Sequence, residues 1–197
     1  KPYAQLEAQN HPQNNETKPR FSVIFWRVSW QDRRFFSLCQ SGLVNNLNDV
    51  VIWGLLPILA IQTKISVADA AILGSIYLGV WGIGQLFTGT LSDKIGRKPF
   101  IVGGLWVQAG GILLLALTDQ ATIWLVATTF MGFGTAMVYP TLLASVSDIA
   151  HPTWRASALG VYRLWRDGGY AIGAIMGGVL SDILSIQVAI IIIALLT

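Results

Sequence analysis

The chain has 197 residues, of which 53% are hydrophobic and 12% charged, with a mean hydropathy of +0.58. A water-exposed globular surface does not tolerate that balance, so the solvent for most of the chain is lipid. The net charge of +3 does not point to nucleic acid, because the basic residues sit at the ends of apolar segments and form no patch or stripe. The single cysteine, Cys39, excludes an internal disulfide and has no Cys or His neighbour at metal-ligand spacing, which leaves it a packing residue with no metal site in view.

In chain order, residues 1–20 are polar and rich in Gln, Asn and Pro, and read as a flexible cytoplasmic linker. Asn15-Glu16-Thr17 matches the glycosylation pattern, but a pattern this short is common by chance. The chain begins with Lys1 and nothing near it resembles a signal peptide, so it reads as a fragment of a longer protein. Residues 21–40 interleave Phe25, Trp26, Trp30, Phe35 and Phe36 with Arg27, Asp32, Arg33 and Arg34, as expected of an amphipathic segment lying in the headgroup region. Ser29 and Asp32 have the spacing of a capping box for it.

About 20 apolar residues cross a bilayer as a helix. Five runs qualify, over 41–62, 70–91, 99–118, 121–147 and 157–181, and a sixth, from residue 183, ends at residue 197, reaching only about 22 Å at ~1.5 Å per residue. The fold class expected is therefore an all-α membrane protein with six transmembrane helices over 41–197, the sixth cut short. Arg27, Arg33, Arg34, Lys94, Arg97, Lys98 and Arg155 fall on one side and only Lys64 on the other, which puts both chain ends in the cytoplasm. An offset of 89 residues aligns Gly79, Ile83, Gly84, Gly89 and Leu91-Ser92-Asp93 with identical residues from Gly168 to Asp182, seven identities in 15 positions. It joins the second run to the fifth, opposite in direction, and pairs Pro57 in the first with Pro140 in the fourth. Two inverted three-helix repeats follow, a pattern of transporters.

The loop Gly89-Thr90-Leu91-Ser92-Asp93-Lys94-Ile95-Gly96-Arg97-Lys98 joins the second and third runs. Gly89 would permit close helix packing, Gly96 a tight turn, and Asp93 a hydrogen bond from Arg97 or from the exposed amides of a neighbouring helix N-terminus. The string resembles, at every defining position, the conserved loop of the major facilitator superfamily: Gly, any, Leu, small, Asp, basic, any, Gly, Arg, basic. The resemblance implies a secondary transporter working by alternating access, with 12 helices in two halves. Asp93 and Arg97 would then belong to a latch that docks on the other half, here the missing N-terminal one. Residues 1–40 are similar to the linker between halves, so the chain reads as the C-terminal half. The fifth run holds Gly168, Gly169, Gly173, Gly177 and Gly178 but no proline, so the antiporter motif of the family is not matched.

Ionisable groups inside hydrocarbon are costly and call for a function or a partner. The first run carries Asn45, Asn46, Asn48 and Asp49, and the fifth carries Arg163, Arg166 and Asp167, with an i,i+4 pair open to Arg163 and Asp167. Asp49 or Asp167 would carry a proton or face a substrate, with Arg166 on an anionic group. Alternatively, Arg163, Arg166 and Asp167 form a cytoplasmic gate that touches no substrate. Tyr139, Gln85 and Trp53 would line a cavity.

The expected function is movement of a small solute across a cell (inner) membrane, coupled to protons and without a cofactor, with the lipid bilayer as the other partner. A receptor or scaffold that keeps the fold without transporting is the alternative. A third reading makes the six helices a complete unit working as a dimer. An enzyme is not expected, since His11 and His151 lie in the linker and a loop, and no nucleophile with its base is visible.

Overall fold

The computed structural model describes residues 19–197, and all but Pro19 and Arg20 of the expected linker, including the glycosylation pattern, lies outside the described residues. Every regular element among the described residues is helical. A short helix α1, Phe21–Trp26, runs into a wide π turn, Arg27–Gln31. Six further helices follow: α2, Arg33–Gln62; α3, Val67–Ile95; α4, Arg97–Ala116; α5, Ala121–Ile149; α6, Arg155–Ile183; and α7, Ile186–Leu196.

The starts and stops follow local chemistry. Asp32 caps α2 by accepting from Arg34 N–H at 3.0 Å, so the helix begins eight residues ahead of the apolar run that announces it at 41. Burial works against the Asp32 carboxylate, but the side chain and N–H of Arg34, helped by Arg27, hold it below the usual carboxylate range. Ser29 takes no part in a capping box. The π turn carries it inward, buried, where its hydroxyl accepts from Trp165 Nε1 of α6 at 2.9 Å. Ser66 caps α3 and Ser185 caps α7. Gly96, with φ of +104°, makes the break between α3 and α4, a backbone conformation that a side chain would strain.

The two prolines act differently. Pro57 follows a π turn at Val51–Leu55, where α2 loosens before resuming as Leu56–Gln62. Pro140 sits inside α5, which continues through it to Ile149.

Four helices, α2 to α5, are long and apolar enough to cross a membrane. The sequence counts α6 as a fifth, and its 29 residues give the length, but Arg163, Arg166 and Asp167 in its first half lower its apolarity below that of the others. With 11 residues, α7 is the short one. Large apolar side chains point outward, Leu195 at 78% exposure, Trp106 at 75% and Leu86 at 73%. Such a surface suits lipid, and the chain is a multi-pass membrane protein.

Inside, α5 lies against both α3 and α4, α2 runs along α6, and α7 touches α4 and α6. One apolar cluster gathers Val51, Leu55, Tyr77, Ile112, Trp124 and Ile190; the other gathers Phe35, Cys39, Ile101, Leu142, Trp154 and Tyr162. Cys39 packs as expected, its thiol directed at the Val28 carbonyl at 3.9 Å.

Glycine sets the closest approaches. A Cβ on Gly169 would fall on the Leu43 carbonyl of α2, and one on Gly173 would lie 2.9 Å from Val50 Cγ2. The neighbouring Gly168 has nothing within 4 Å. Gly169→Ala should therefore cost about 1–3 kcal/mol by overpacking and lower the thermal unfolding midpoint in detergent. Gly168→Ala should leave it level or raised.

Candidate functional site

Two polar constellations stand apart in the helical frame. The first lies at the junction of α3 and α4. Arg97, placed by the Gly96 turn, binds Asp93 at 2.7 Å, Asp148 at 3.2 Å and the Ser92 hydroxyl at 2.8 Å. The expected Asp93–Arg97 contact is thus present. Asp148, from the end of α5, is a third member that the sequence reading missed; its signal was an acid on the basic side of the chain, shortly before the loop at His151. Arg97, Lys98 and Asp148, with Arg34 from the start of α2, line a cleft of about 410 Å³. Gly89 departs from expectation. Nothing lies within 4 Å of its Cβ position, so among the described residues it packs against no helix.

The second constellation is a chain of hydrogen bonds across the middle of the bundle. The Asp49 carboxylate, buried on α2, accepts from the Tyr77 hydroxyl of α3. Tyr77 in turn meets the Thr135 hydroxyl of α5 at 3.0 Å. Gln108 of α4 donates from Nε2 to Thr135 at 2.5 Å and accepts at Oε1 from Asn48 Nδ2 at 3.2 Å. Asn48 Oδ1 accepts from the Thr197 hydroxyl at 2.8 Å. Because the one Tyr77 proton is committed to Asp49, Thr135 is the donor wherever the two hydroxyls bond, and every donor then points toward the carboxylate. The single Thr135 proton has a competing acceptor, the Met131 carbonyl, also at 3.0 Å. Every member but the half-buried Thr197 is buried, and in hydrocarbon each of those therefore needs its partner.

Asn45 and Asn46 are buried one turn before Asp49. The α6 residues reach the same region through rings. The Arg166 guanidinium sits 4.5 Å from the centroid of the Tyr139 ring, Tyr139 meets Trp81 edge to face at 5.9 Å, and Trp81 lies 6.2 Å from Tyr77. So the structure joins the Asn45–Asp49 and Arg166 clusters, which the sequence treated separately.

Other expected members fall differently. Asp167 pairs with its neighbour Arg166 at 3.0 Å rather than with Arg163, which is exposed. Adjacent residues on a helix diverge by about 100°, and only the long reach of Arg166 closes that pair. Gln85 is half-buried one turn beyond Trp81, and Trp53 is 44% exposed with its ring 6.4 Å from Tyr77. Tyr77, Gln108 and Thr135 were missed because no charged residue lies beside any of them in the sequence. Gln108 was the findable one, an amide in the middle of a span.

Comparison with known proteins agrees with the fold. The family model described as Major Facilitator Superfamily matches residues 38–197. The inner membrane transport protein YnfM of Escherichia coli K12 is 27% identical over 191 residues, covering 95% of this chain and 44% of that protein. The inner membrane transport protein YajR of the same organism is 30% identical over 165 residues, covering 82% of this chain and 34% of YajR. The multidrug resistance protein MdtH of Yersinia enterocolitica is 30% identical over 125 residues, covering 61% and 31%. The chain spans less than half the length of each of these relatives.

The hydrogen-bond chain has a measurable weight. Thr135→Val keeps the shape but orphans groups on Tyr77 and Gln108, and should cost about 1–3 kcal/mol in unfolding free energy. Thr129→Val, on an exposed hydroxyl that bonds only the Leu125 carbonyl of its own helix, should stay within about 0.5 kcal/mol. Thermal or denaturant unfolding of the two variants in detergent checks the contrast.

Proposed function

Because the chain belongs to the major facilitator superfamily, we propose that it forms the C-terminal, six-span half of a secondary transporter that works by alternating access and is coupled to protons through Asp49. The observation that carries the reading is the buried Asp49 carboxylate at the end of a one-way donor chain drawn from four helices and the residue after α7. Such a chain stabilises the ionised carboxylate. It also accommodates the protonated one. Asp49 then donates to Tyr77, Tyr77 to Thr135, and the Thr135 hydroxyl turns to the Met131 carbonyl, while Gln108 keeps donating to Thr135 throughout. A proton is thereby taken up or released with two hydroxyl rotations and no group orphaned.

Helices α2 to α7 are the six spans of this reading, arranged as two inverted three-helix repeats. Packing supports the repeat. The operation that exchanges α2 with α5 and α3 with α6 also exchanges the α2–α6 packing with the α3–α5 packing, and both are extensive. The Lys and Arg residues near α1, the α3–α4 loop and the start of α6 support a topology with both ends of the chain in the cytoplasm. The names of YnfM and YajR support an inner-membrane location. Arg97, gripped by Asp93, Asp148 and Ser92, is the latch. Gly89, with open space before it, leaves room on α3 for a close approach by the other half.

The test uses the complete transporter that carries this chain, reconstituted in proteoliposomes under an imposed proton gradient with a broad solute panel. Asp49→Asn should lose gradient-driven flux and its pH dependence while still inserting and folding. Unchanged flux and pH profile in that variant would remove Asp49 from the mechanism, and no flux of any solute in the unaltered protein would sink the transporter reading.

A further inference from the structure

Four buried side-chain donors have no acceptor among the described residues: Asn45 Nδ2, Trp81 Nε1, Tyr162 OH and Arg166 Nε. Buried polar groups are ordinarily bonded, so four orphans of one chemical sense need a common explanation. They are neighbours around a ring of contacts. Tyr162 and Arg166 are one turn apart on α6. The Tyr162 hydroxyl lies 3.0 Å from where a Cβ on Gly42 would stand, three residues before Asn45 on α2. Asn45 is one turn from Asp49, Asp49 bonds Tyr77, Tyr77 stacks toward Trp81, Trp81 meets Tyr139, and Tyr139 carries Arg166. The ring closes.

The chemistry of its inner edge is one-sided. Arg and Trp side chains donate and cannot accept, the Asn45 amide nitrogen likewise, and Arg166 adds a permanent positive charge. An ammonium ligand would face that charge and leave Asn45 Nδ2, Trp81 Nε1 and Arg166 Nε unmet, since of the four only the Tyr162 hydroxyl can also accept. A carboxylate, with about four lone-pair sites on two oxygens, matches them. The rest of the ring is aromatic. Tyr77, Trp81 and Tyr139 pack directly on one another at centroid distances of 6.2 and 5.9 Å, one continuous aromatic wall against which a flat apolar body can lie.

We propose that this ring is the substrate subsite and that it takes a planar organic carboxylate, whose oxygens accept from Arg166, Tyr162, Asn45 and Trp81 while its apolar body lies among the aromatic rings. The assignment rests on the transporter reading and names the class of solute for it. The Asp49 carboxylate is met on its own side by Tyr77, and its protonation removes one of the two repulsions an anion would find there; the other carboxylate, Asp167, is already paired with Arg166 at 3.0 Å.

The experiment measures calorimetric binding to the complete transporter in detergent. The probes are benzoate, phenylacetate and indole-3-acetate, each against its own uncharged amide. At least one acid should bind ~10-fold or more tighter than its amide, the scale of a charge-assisted hydrogen bond. Trp81→Phe and Tyr162→Phe, which keep the rings and remove one donor each, should weaken that acid by about tenfold. Arg166→Gln should abolish the preference and Arg166→Lys restore part of it. Amides that bind as tightly as the acids overturn the proposal. So does the absence of binding by all three acids, or affinity untouched in both phenylalanine variants, which would leave the donors to water alone. Proton-driven flux, scored separately, keeps the two readings distinguishable. Flux of another solute without acid binding sinks the carboxylate assignment only, whereas acid binding without flux of any solute upholds the subsite and sinks the transporter reading.

Discussion

The arrangement of this bundle turns on keeping one carboxylate satisfied out of reach of water. Asp49 is held by Tyr77, and through Tyr77 and Thr135 by Gln108 and Asn48, so residues from α2, α3, α4 and α5 are committed to a single polar thread. In lipid no solvent stands ready to replace a lost partner, which makes register along these helices a polar constraint as much as a packing one. Sliding α3 against α5 would break the Tyr77–Thr135 contact as well as lift packed side chains over one another.

Around that thread the helices come as close as their smallest residues allow. Gly169 and Gly173 bring α6 onto α2, and Gly104 with Gly134 bring α4 onto α5, where a Cβ on either would lie 2.6 Å from a neighbouring atom. These approaches deliver Arg166 and Tyr162 to the same side of the bundle as Asn45 and Asp49. The charged junction at Arg97 lies away from this centre, on loop and helix-end residues that are half exposed, so its ion pairs add little to stability as individual contacts. Its three partners converge on one guanidinium, an arrangement suited to being made and broken.

Much of this was legible because the signals were local. The α3–α4 loop is read within ten consecutive residues, and its turn at Gly96 and its Asp93–Arg97 pair stand where the spacing puts them. The long helices were legible from length and apolarity, with ends displaced where a cap decided them, as Asp32 does for α2. What escaped was long-range. Gln108 and Asn48 are 60 residues apart and Tyr77 and Thr135 are 58 apart, and nothing near any of them in the sequence announces the partner. Ser29 misled for the same reason, since its bond is to Trp165 and not to the turn that its spacing suggested. Side-chain length decided the Arg166–Asp167 pair over the helical neighbours Arg163 and Asp167.

The outward glycines of α3 have a mechanical meaning of their own. Among the described residues nothing lies within 4 Å of the Cβ positions of Gly79, Gly82 and Gly89, on a helix whose other side is pinned to α5 by Thr88 bonding the Ala136 carbonyl at 2.6 Å. Helices usually lock by ridges of side chains fitting into grooves, and a shift between registers must lift one ridge over another. Here Leu86, 73% exposed and one turn from both Gly82 and Gly89, stands between glycine gaps as a tall tooth. A surface resting on this face is indexed by that knob, with shallow ground on either side of it.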